Sequence, residues 1–325
     1  MKKQLAMALM GLAACAIFAN GTIETGTTSK QYVMKLASPS NPQDNCVKAF
    51  YHFEKEVEKQ SNGQIDVQVF DSGQLGDHKD YIASLQMNSI QGAEINTSML
   101  ESVDSAFMLF DLPYIIPSMD DLRTMLDSGL NDTLNEKLTN KAQLTVGGWL
   151  IRCPRDVYSS KGPIHNAEDF KGLKIRVMDS PIMVRTMELL KATPVPISAS
   201  ERYMALQTKV VDAAENSPAI VLSEKEYEVT TTLSLTEHSL TPNCFVISNI
   251  FLQSLPENLR VIVLDEAKAA GIYEQQLEKE GLTALAEKGM IINKDVDKDS
   301  FRAMLTPLYD EYADQIGQDI LAYCK

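Results

Sequence analysis

The stretch 170–218, FKGLKIRVMDSPIMVRTMELLKATPVPISASERYMALQTKVVDAAENSP, alternates short β-branched runs with amphipathic helical runs. Lys174-Ile175-Arg176-Val177 reads as a strand with Leu173, Ile175 and Val177 on one face and Arg176 on the other. Ser180 is placed to cap a helix that Pro181 begins. A second strand is expected over 194–197, then a helix capped by Ser198 or Ser200 and running to Lys209. A third strand is expected over 210–214, after which Glu215-Asn216-Ser217-Pro218 repeats the cap-then-proline helix start. In such βαβ units ligands sit beyond the carboxyl ends of the strands, near helix N-termini. Arg176 and Asn216 both lie at such ends and point to an anion site.

Taken alone, a lone strand arginine is more often a solvated surface residue, and an asparagine before Ser-Pro is often a plain helix cap. The chemistry nevertheless suits both residues. A guanidinium offers two parallel donors matched to a carboxylate, and it stays charged when buried.

Around this stretch the chain is ordinary globular protein: 325 residues, 44% hydrophobic and 23% charged, long enough for two domains. Met1-Lys2-Lys3 followed by an apolar run over 5–19 reads as a signal peptide, too short for a membrane span. Two cuts are open. Leu12-Ala13-Ala14-Cys15 matches a lipoprotein cleavage box that would leave Cys15 lipidated, and a plain cut after Ala19 is the alternative. Residues 20–31 suit a flexible tether. Either way the protein is exported, to the periplasm or the outer face of the cytoplasmic membrane.

The formal charge is −14, and loss of Lys2 and Lys3 takes it to −16. That argues against nucleic acid or an anionic membrane surface as partner. An anion must then be held by a local cationic pocket. Cys46, Cys153, Cys244 and Cys324 remain beyond the leader, too widely spaced for a metal site and with pairing open. No metal and no cofactor is expected. The chain has no GxSxG, HExxH, Walker A loop or GxGxxG, and Cys46 with His52 on one helix makes a poor dyad.

Upstream, alternating and amphipathic patterns predict strand 32–37, helix 43–60, strand 65–70, helix 77–88 and strand 92–97, the start of an α/β domain. Helices are expected from Ser118 and over 130–141, and a strand over 144–151, with 152–163 as a connection. Downstream, strands are expected at 233–235 and 245–247. One helical run is expected from Pro256 to about Lys288, broken only by Gly271 and Gly281, and a further helix over 300–322.

Leu173-Lys174-Ile175-Arg176-Val177, Tyr203-xxx-Gln207 and Val211-Asp212-Ala213-Ala214-Glu215-Asn216-Ser217-Pro218 resemble the signature of TRAP-transporter solute-binding proteins of the C4-dicarboxylate (DctP) type. Gln74-Leu75-Gly76-Asp77, Leu112-Pro113-Tyr114, Pro163-Ile164 with Asp169-Phe170-Lys171-Gly172, and Thr236-Glu237-His238 follow in the same order. The similarity covers the chain from about residue 31 onward.

The resemblance implies an α/β fold of two domains like the periplasmic binding proteins, with a ligand cleft between them and a long helix spanning both. Domain I would comprise 32–152 plus about 242–281, and domain II 153–241 plus about 282–325. It implies a binding protein and not an enzyme. Its ligand would be a small organic acid anion (a dicarboxylate, sugar acid, or hydroxy or keto acid), passed to a TRAP membrane permease. A sensor module presenting the same ligand to a membrane receptor is the alternative.

By the same resemblance Arg176 grips the ligand carboxylate in a two-pronged salt bridge and Asn216 helps hold it. Arg155 is a second pocket arginine, with Arg152 as its competitor. Asn96, Ser40 and His78 face the cleft from domain I. The family commonly has glycine where this chain has Lys209. Ala199 stands where some sialic-acid binders carry an aromatic residue, which argues against that ligand.

Overall fold

The computed structural model describes residues 32–278 and 281–324. The expected leader, its two cuts and the tether fall at 1–31, outside the described residues. Eleven strands are described: β1 Tyr32–Ala37, β2 Ile65–Phe70, β3 Gly92–Asn96, β4 Leu144–Leu150, β5 Arg155–Ser159, β6 Lys174–Val177, β7 Thr193–Pro196, β8 Ala213–Asn216, β9 Thr232–Ser239, β10 Asn243–Ser248 and β11 Ile291–Asn293.

They form two sheets. The first has the order β2-β1-β3-β10-β4, with β1 parallel to β2 and β3, and β10 antiparallel to both its neighbours. The second has the order β11-β9-β5-β8-β6-β7, with β6 parallel to β7 and β8, and β5 antiparallel to β8 and β9. The chain passes between sheets after β4, after β9 and again after β10. The helical layers and mixed sheets are those of the two-domain α/β class.

Packing explains the element choices. The helix Asn45–Gln60 buries Cys46, Val47, Ala49, Phe50, Phe53 and Val57, the spacing of one helical face, and is capped by Asp44, which accepts from the Cys46 amide at 2.8 Å. The helix Glu257–Leu277 lies against this helix and β4. Glycine is what lets it come so close. A Cβ at Gly148 would stand 2.1 Å from the Ala267 carbonyl oxygen, and one at Gly271 2.4 Å from that of Trp149. Gly271 is therefore a contact point inside an unbroken helix, not a break. A separate helix, Gly281–Glu287, packs on Pro218–Ser223 beside the second sheet. Within the run to Lys288 these two helices are described, Glu257–Leu277 beside the first sheet and Gly281–Glu287 beside the second. The largest apolar cluster joins Phe107, Phe110 and Leu144 near the first sheet to Ile175, Val177 and Phe301 near the second.

Four expectations about local structure need correction. The connection 152–163 contains β5, a strand whose five residues are all buried and thus lack the alternation that marks a strand. The third strand of the opening stretch is 213–216, not 210–214. Val210 and Val211 turn their amides back to the Ala205 carbonyl at 3.0 and 3.3 Å, and sheet pairing starts only beyond Asp212, whose amide meets Lys174 O at 2.8 Å. Lys209 makes that turn at φ +59°, a conformation glycine reaches more easily. The helix Arg202–Gln207 has no side-chain cap, because Ser200 is engaged with Asp77 at 3.2 Å and Ser198 with Glu201 at 2.8 Å. The C-terminal run is three helices, Lys298–Leu305, Pro307–Ile316 and Gln318–Leu321, divided at Thr306 and Gly317.

Candidate functional site

The carboxyl ends of β1 and β3 in one sheet, and of β6, β7 and β8 in the other, converge on two adjoining cavities. The first, about 210 Å³, is lined from the first sheet by Ser40, His78, Glu94, Asn96 and Asn243, and from the second by Arg155, Arg202, Asn216, Ile220 and Glu224. The second, about 310 Å³, is lined by Arg176, Met178, Ile197 and Ala199 with Asp77 and Lys79 opposite. His78, Met178 and Ala199 border both. Of the six residues expected in the site, five line the first cavity and Arg176 lines its neighbour.

Arg176 is buried, 1% exposed, and so not on the solvated face that its alternation in β6 suggests. β6 lies between two parallel partners and is covered on both sides, so Ile175, Arg176 and Val177 are all interior. Its Nε donates to the Ile197 carbonyl at 2.8 Å, and its Nη1 is buried with no partner. No carboxylate within salt-bridge reach neutralises it among the described residues. Burial, then the neighbouring Arg202 charge, push its pKa down to about 10, so it remains a cation at neutral pH. A buried cation without a counter-ion costs free energy that an entering anion would recover.

The arginines lining the first cavity are all compensated. Arg155 closes on Glu215 through Nε and through Nη2 (2.8 Å to Oε1, 2.8 Å to the carbonyl), and its Nη1 donates to Asn216 Oδ1 at 3.1 Å. Although burial opposes it, the Arg155 charge holds the Glu215 carboxyl down at about 2, with His238 Nε2 3.6 Å away. Asn216 Oδ1 also accepts from the Ser217 amide at 2.9 Å. With its oxygen so occupied, the Asn216 amide NH2 is the part left for the cavity. Arg155 thus orients Asn216, a different task from that of Arg176.

Arg152 enters a cage of acids. It donates to both Asp44 oxygens (3.2 and 2.8 Å), to Glu94 Oε1 (3.2 Å) and to Cys46 Sγ (2.8 Å), with Glu278 at 3.8 Å. Burial, then the Glu278 charge, raise the pKa of nearby Glu274 well above the ordinary carboxylate range. Arg202 is bound by Glu226 at 2.5 Å, whose other oxygen accepts from Tyr158 at 2.6 Å.

The first-sheet wall is a connected polar chain. Ser38 Oγ donates to Glu94 at 2.5 Å, Asn243 Nδ2 donates to Glu94, and Asn96 Nδ2 donates to Asn243 Oδ1 at 2.7 Å. Asn96 Oδ1 caps the turn Thr97–Leu100 through the Ser98 amide at 3.0 Å, so each end of the Asn96 amide carries one bond and keeps one position free. His78, first in the helix His78–Gln86 behind an Asp77 capping box, fixes its Nδ1 on the Glu94 carbonyl at 3.0 Å and leaves Nε2 for the cavities.

Contacts between the two walls close both rims. On one rim Asp77 meets Ser200 (3.2 Å) and Lys79 pairs with Asp179. On the other Asn41 Nδ2 reaches the Ser223 carbonyl at 2.9 Å, and Ser223 Oγ lies 3.4 Å from Asp44. Cys46, Cys153, Cys244 and Cys324 are free thiols, and burial is the main reason their pKa values lie above the ordinary thiol range. Cys46 is held by Arg152 while His52 stacks on Tyr273, so the two form no dyad.

Arg202, Glu226, Glu94 and Glu224 went unnoticed in sequence. Their partners lie 24 to 183 positions away, so no local spacing marks them. Arg202 does stand beside the Tyr203-xxx-Gln207 motif, which was the available signal.

The family model described as bacterial extracellular solute-binding protein, family 7 (DctP), matches residues 36–315. A "Solute-binding protein" of Chromohalobacter salexigens is 30% identical over 281 residues, covering 85% of this chain and 82% of that protein. Among solved structures, a TRAP periplasmic solute binding protein of Xanthobacter autotrophicus with bound β-D-galacturonate is 29% identical with TM-score 0.83, covering 90% and 97% of the two chains. One from Sulfurospirillum deleyianum with bound succinate is 26% identical with TM-score 0.85, covering 90% and 98%.

Proposed function

Because the chain belongs to the DctP family of bacterial extracellular solute-binding proteins, we propose that Arg176 and Asn216 capture the carboxylate of a small organic acid for delivery to a TRAP-type membrane permease. The single observation that carries this reading is the buried, counter-ion-free Arg176 with its orphaned Nη1. A carboxylate is the complement of that group in charge and in fork geometry. Asn216 adds amide donors from the next strand, positioned by Arg155. Ser40, His78 and Asn96 face the ligand from the other wall, Asn96 chiefly by fixing Asn243. The chemistry is binding, without turnover.

The lobes that move are 32–152 with about 242–281, and 153–241 with about 282–325. The strands of the two sheets divide between these sets without exception. Closure brings the two rims together, and a ligand that prefers the closed form shifts the equilibrium toward it. The protein works outside the cytoplasm, and Cys15 is the residue that would carry a lipid anchor.

A thermal-shift panel of organic acids tests the reading, since a ligand bound only by the native state raises its melting temperature. At least one carboxylate should raise it, and the shift should vanish in Arg176→Ala. An unchanged shift in that variant would remove Arg176 from the site.

A further inference from the structure

We infer that Glu101 and Asp111 form a buried site for a single proton on the seam between the lobes, and that this proton latches the first lobe to the helix Pro181–Leu189 of the second. The inference uses the two-lobe division above and is independent of which anion the cleft holds.

Both acids belong to the first lobe. Asp111 ends the turn Ser105–Asp111 and is 2% exposed, and Glu101 follows the turn Thr97–Leu100. Their carboxyl groups are close enough to hydrogen-bond to each other. Each has one oxygen with a donor: Asp111 Oδ1 accepts from Ser98 Oγ at 2.7 Å, and Glu101 Oε1 from Ser180 Oγ at 3.4 Å. The other two, Asp111 Oδ2 and Glu101 Oε2, are buried with no donor. One proton satisfies both at once, as an O–H on one acid donating to the other. Two bare carboxylates there would be like charges out of water without a counter-ion.

The surrounding elements do not supply that counter-ion among the described residues. From the second sheet, the Arg155 charge reaches Asp111, but Arg155 is clamped on Glu215. Glu215 and His238 share with Asp111 the walls of a cavity of about 10 Å³. On the second-lobe helix Arg185 is bound to Glu311 at 3.0 Å, and the rim pair Lys79–Asp179 stands beside Ser180. Helix Pro307–Ile316 brings the Tyr312 phenol near Glu101, and Lys141 is taken by Asp104 at 2.8 Å. Burial, then the facing Asp111 charge, raise the pKa of Glu101 far above the ordinary carboxylate range, and burial raises Asp111 as well.

Ser180 is the link across the seam. Its oxygen accepts the Met183 amide at 3.4 Å, and its hydroxyl proton is donated to Glu101. Separation of the lobes opens Glu101 to water, where a carboxyl ionises more readily, so the proton is held tightest when the lobes are apposed. Rising pH therefore favours separation.

Glu101→Gln copies the protonated acid and keeps a donor for Asp111, and it supplies the test. Infrared difference spectra of wild type against this variant at about pH 7.5 should show the loss of one protonated-carboxyl C=O band, and Asp111→Asn should lose it too. The stability carried by a raised carboxyl is full below its unfolded value and is lost as pH rises toward its folded one. The wild-type melting temperature should therefore fall relative to Glu101→Gln by roughly 4 °C or more between about pH 6 and about pH 9. Over the same interval the ligand-free wild type should expand in small-angle scattering, and Glu101→Gln should not. His238→Gln should keep the wild-type pattern. Identical bands and pH profiles in wild type and Glu101→Gln, or a wild-type scattering radius that ignores pH, overturns the inference. So does a calcium or sodium ion that raises the wild-type melting temperature and abolishes the band, which would make the pair a cation site. Loss of the pH profile in His238→Gln would assign it to the imidazole instead. Each of these outcomes leaves carboxylate capture at Arg176 standing.

Discussion

Arg176 and Arg152 are both buried arginines on the walls of one cleft, and their surroundings are opposite. Arg152 has Asp44, Glu94, Glu278 and Cys46 about it, more acceptors than one cation needs. Arg176 has one carbonyl and an orphaned Nη1. Burial is equal, so burial alone does not mark a binding residue. The missing counter-charge does. A buried guanidinium nitrogen without a partner is common to both, since Arg152 Nε has none either. A buried cation whose charge is matched holds structure together, whereas one without a counter-charge is held in readiness by the fold around it, at a free-energy cost that a ligand anion offsets.

The sharpest way to break this contrast is to remove each arginine. Arg152→Ala leaves several buried acids facing each other, and unfolding free energy should fall by about 3–5 kcal/mol in denaturant titration. A loss under about 1 kcal/mol would mean that the cage is not structural. Arg176→Ala should instead weaken ligand binding by about 2–5 kcal/mol in calorimetry, with unfolding free energy unchanged or raised. Arg176→Lys should also bind poorly, since the two-pronged geometry is lost. If Arg176→Ala destabilised the free protein as much as Arg152→Ala does, the distinction between them would be gone.

The Arg155–Glu215 clamp is a third case, and pH sharpens it. The Glu215 carboxyl is depressed to about 2 in the fold, below its unfolded value near 4.5. Its contribution to stability is therefore full above pH 4.5 and is lost as pH falls through about 2. Glu215→Gln should lower stability at pH 7 and flatten the acid limb of the unfolding midpoint across that window. A limb of the same slope in the variant would assign the acid sensitivity to other groups.

The smallest effect belongs to the rims. Lys79 and Asp179 are both largely exposed, so Lys79→Ala should change closure, read as ligand affinity, by about 0–1 kcal/mol. A tenfold loss would show that this rim contact drives closure.

Much of this was legible in the chain. The Ser180 cap with Pro181, the proline start at Pro218 (where the Ser217 hydroxyl makes no cap bond), the alternation of β2 and the face of Asn45–Gln60 are short-range patterns set by residues that touch along the sequence. The strand β5 was hidden, because a segment buried on both sides has no alternation to read. Gly271 looked like a break, because nothing in its neighbours announces that Trp149, 122 positions earlier, needs the space.

The same division runs through the site. A cation and an amide at the carboxyl ends of neighbouring strands could be placed from residues 170–218 alone, because strand, turn and helix start are local events. Which arginine lacks a counter-ion could not. Arg155 and Arg176 are alike as residues in short buried strands, and the difference lies in Glu215, brought beside Arg155 from 60 positions away by the pairing of β5 with β8. Pairing of charges is a long-range property of the folded chain, since a carboxylate neutralises whichever guanidinium the sheets bring within a few ångströms of it.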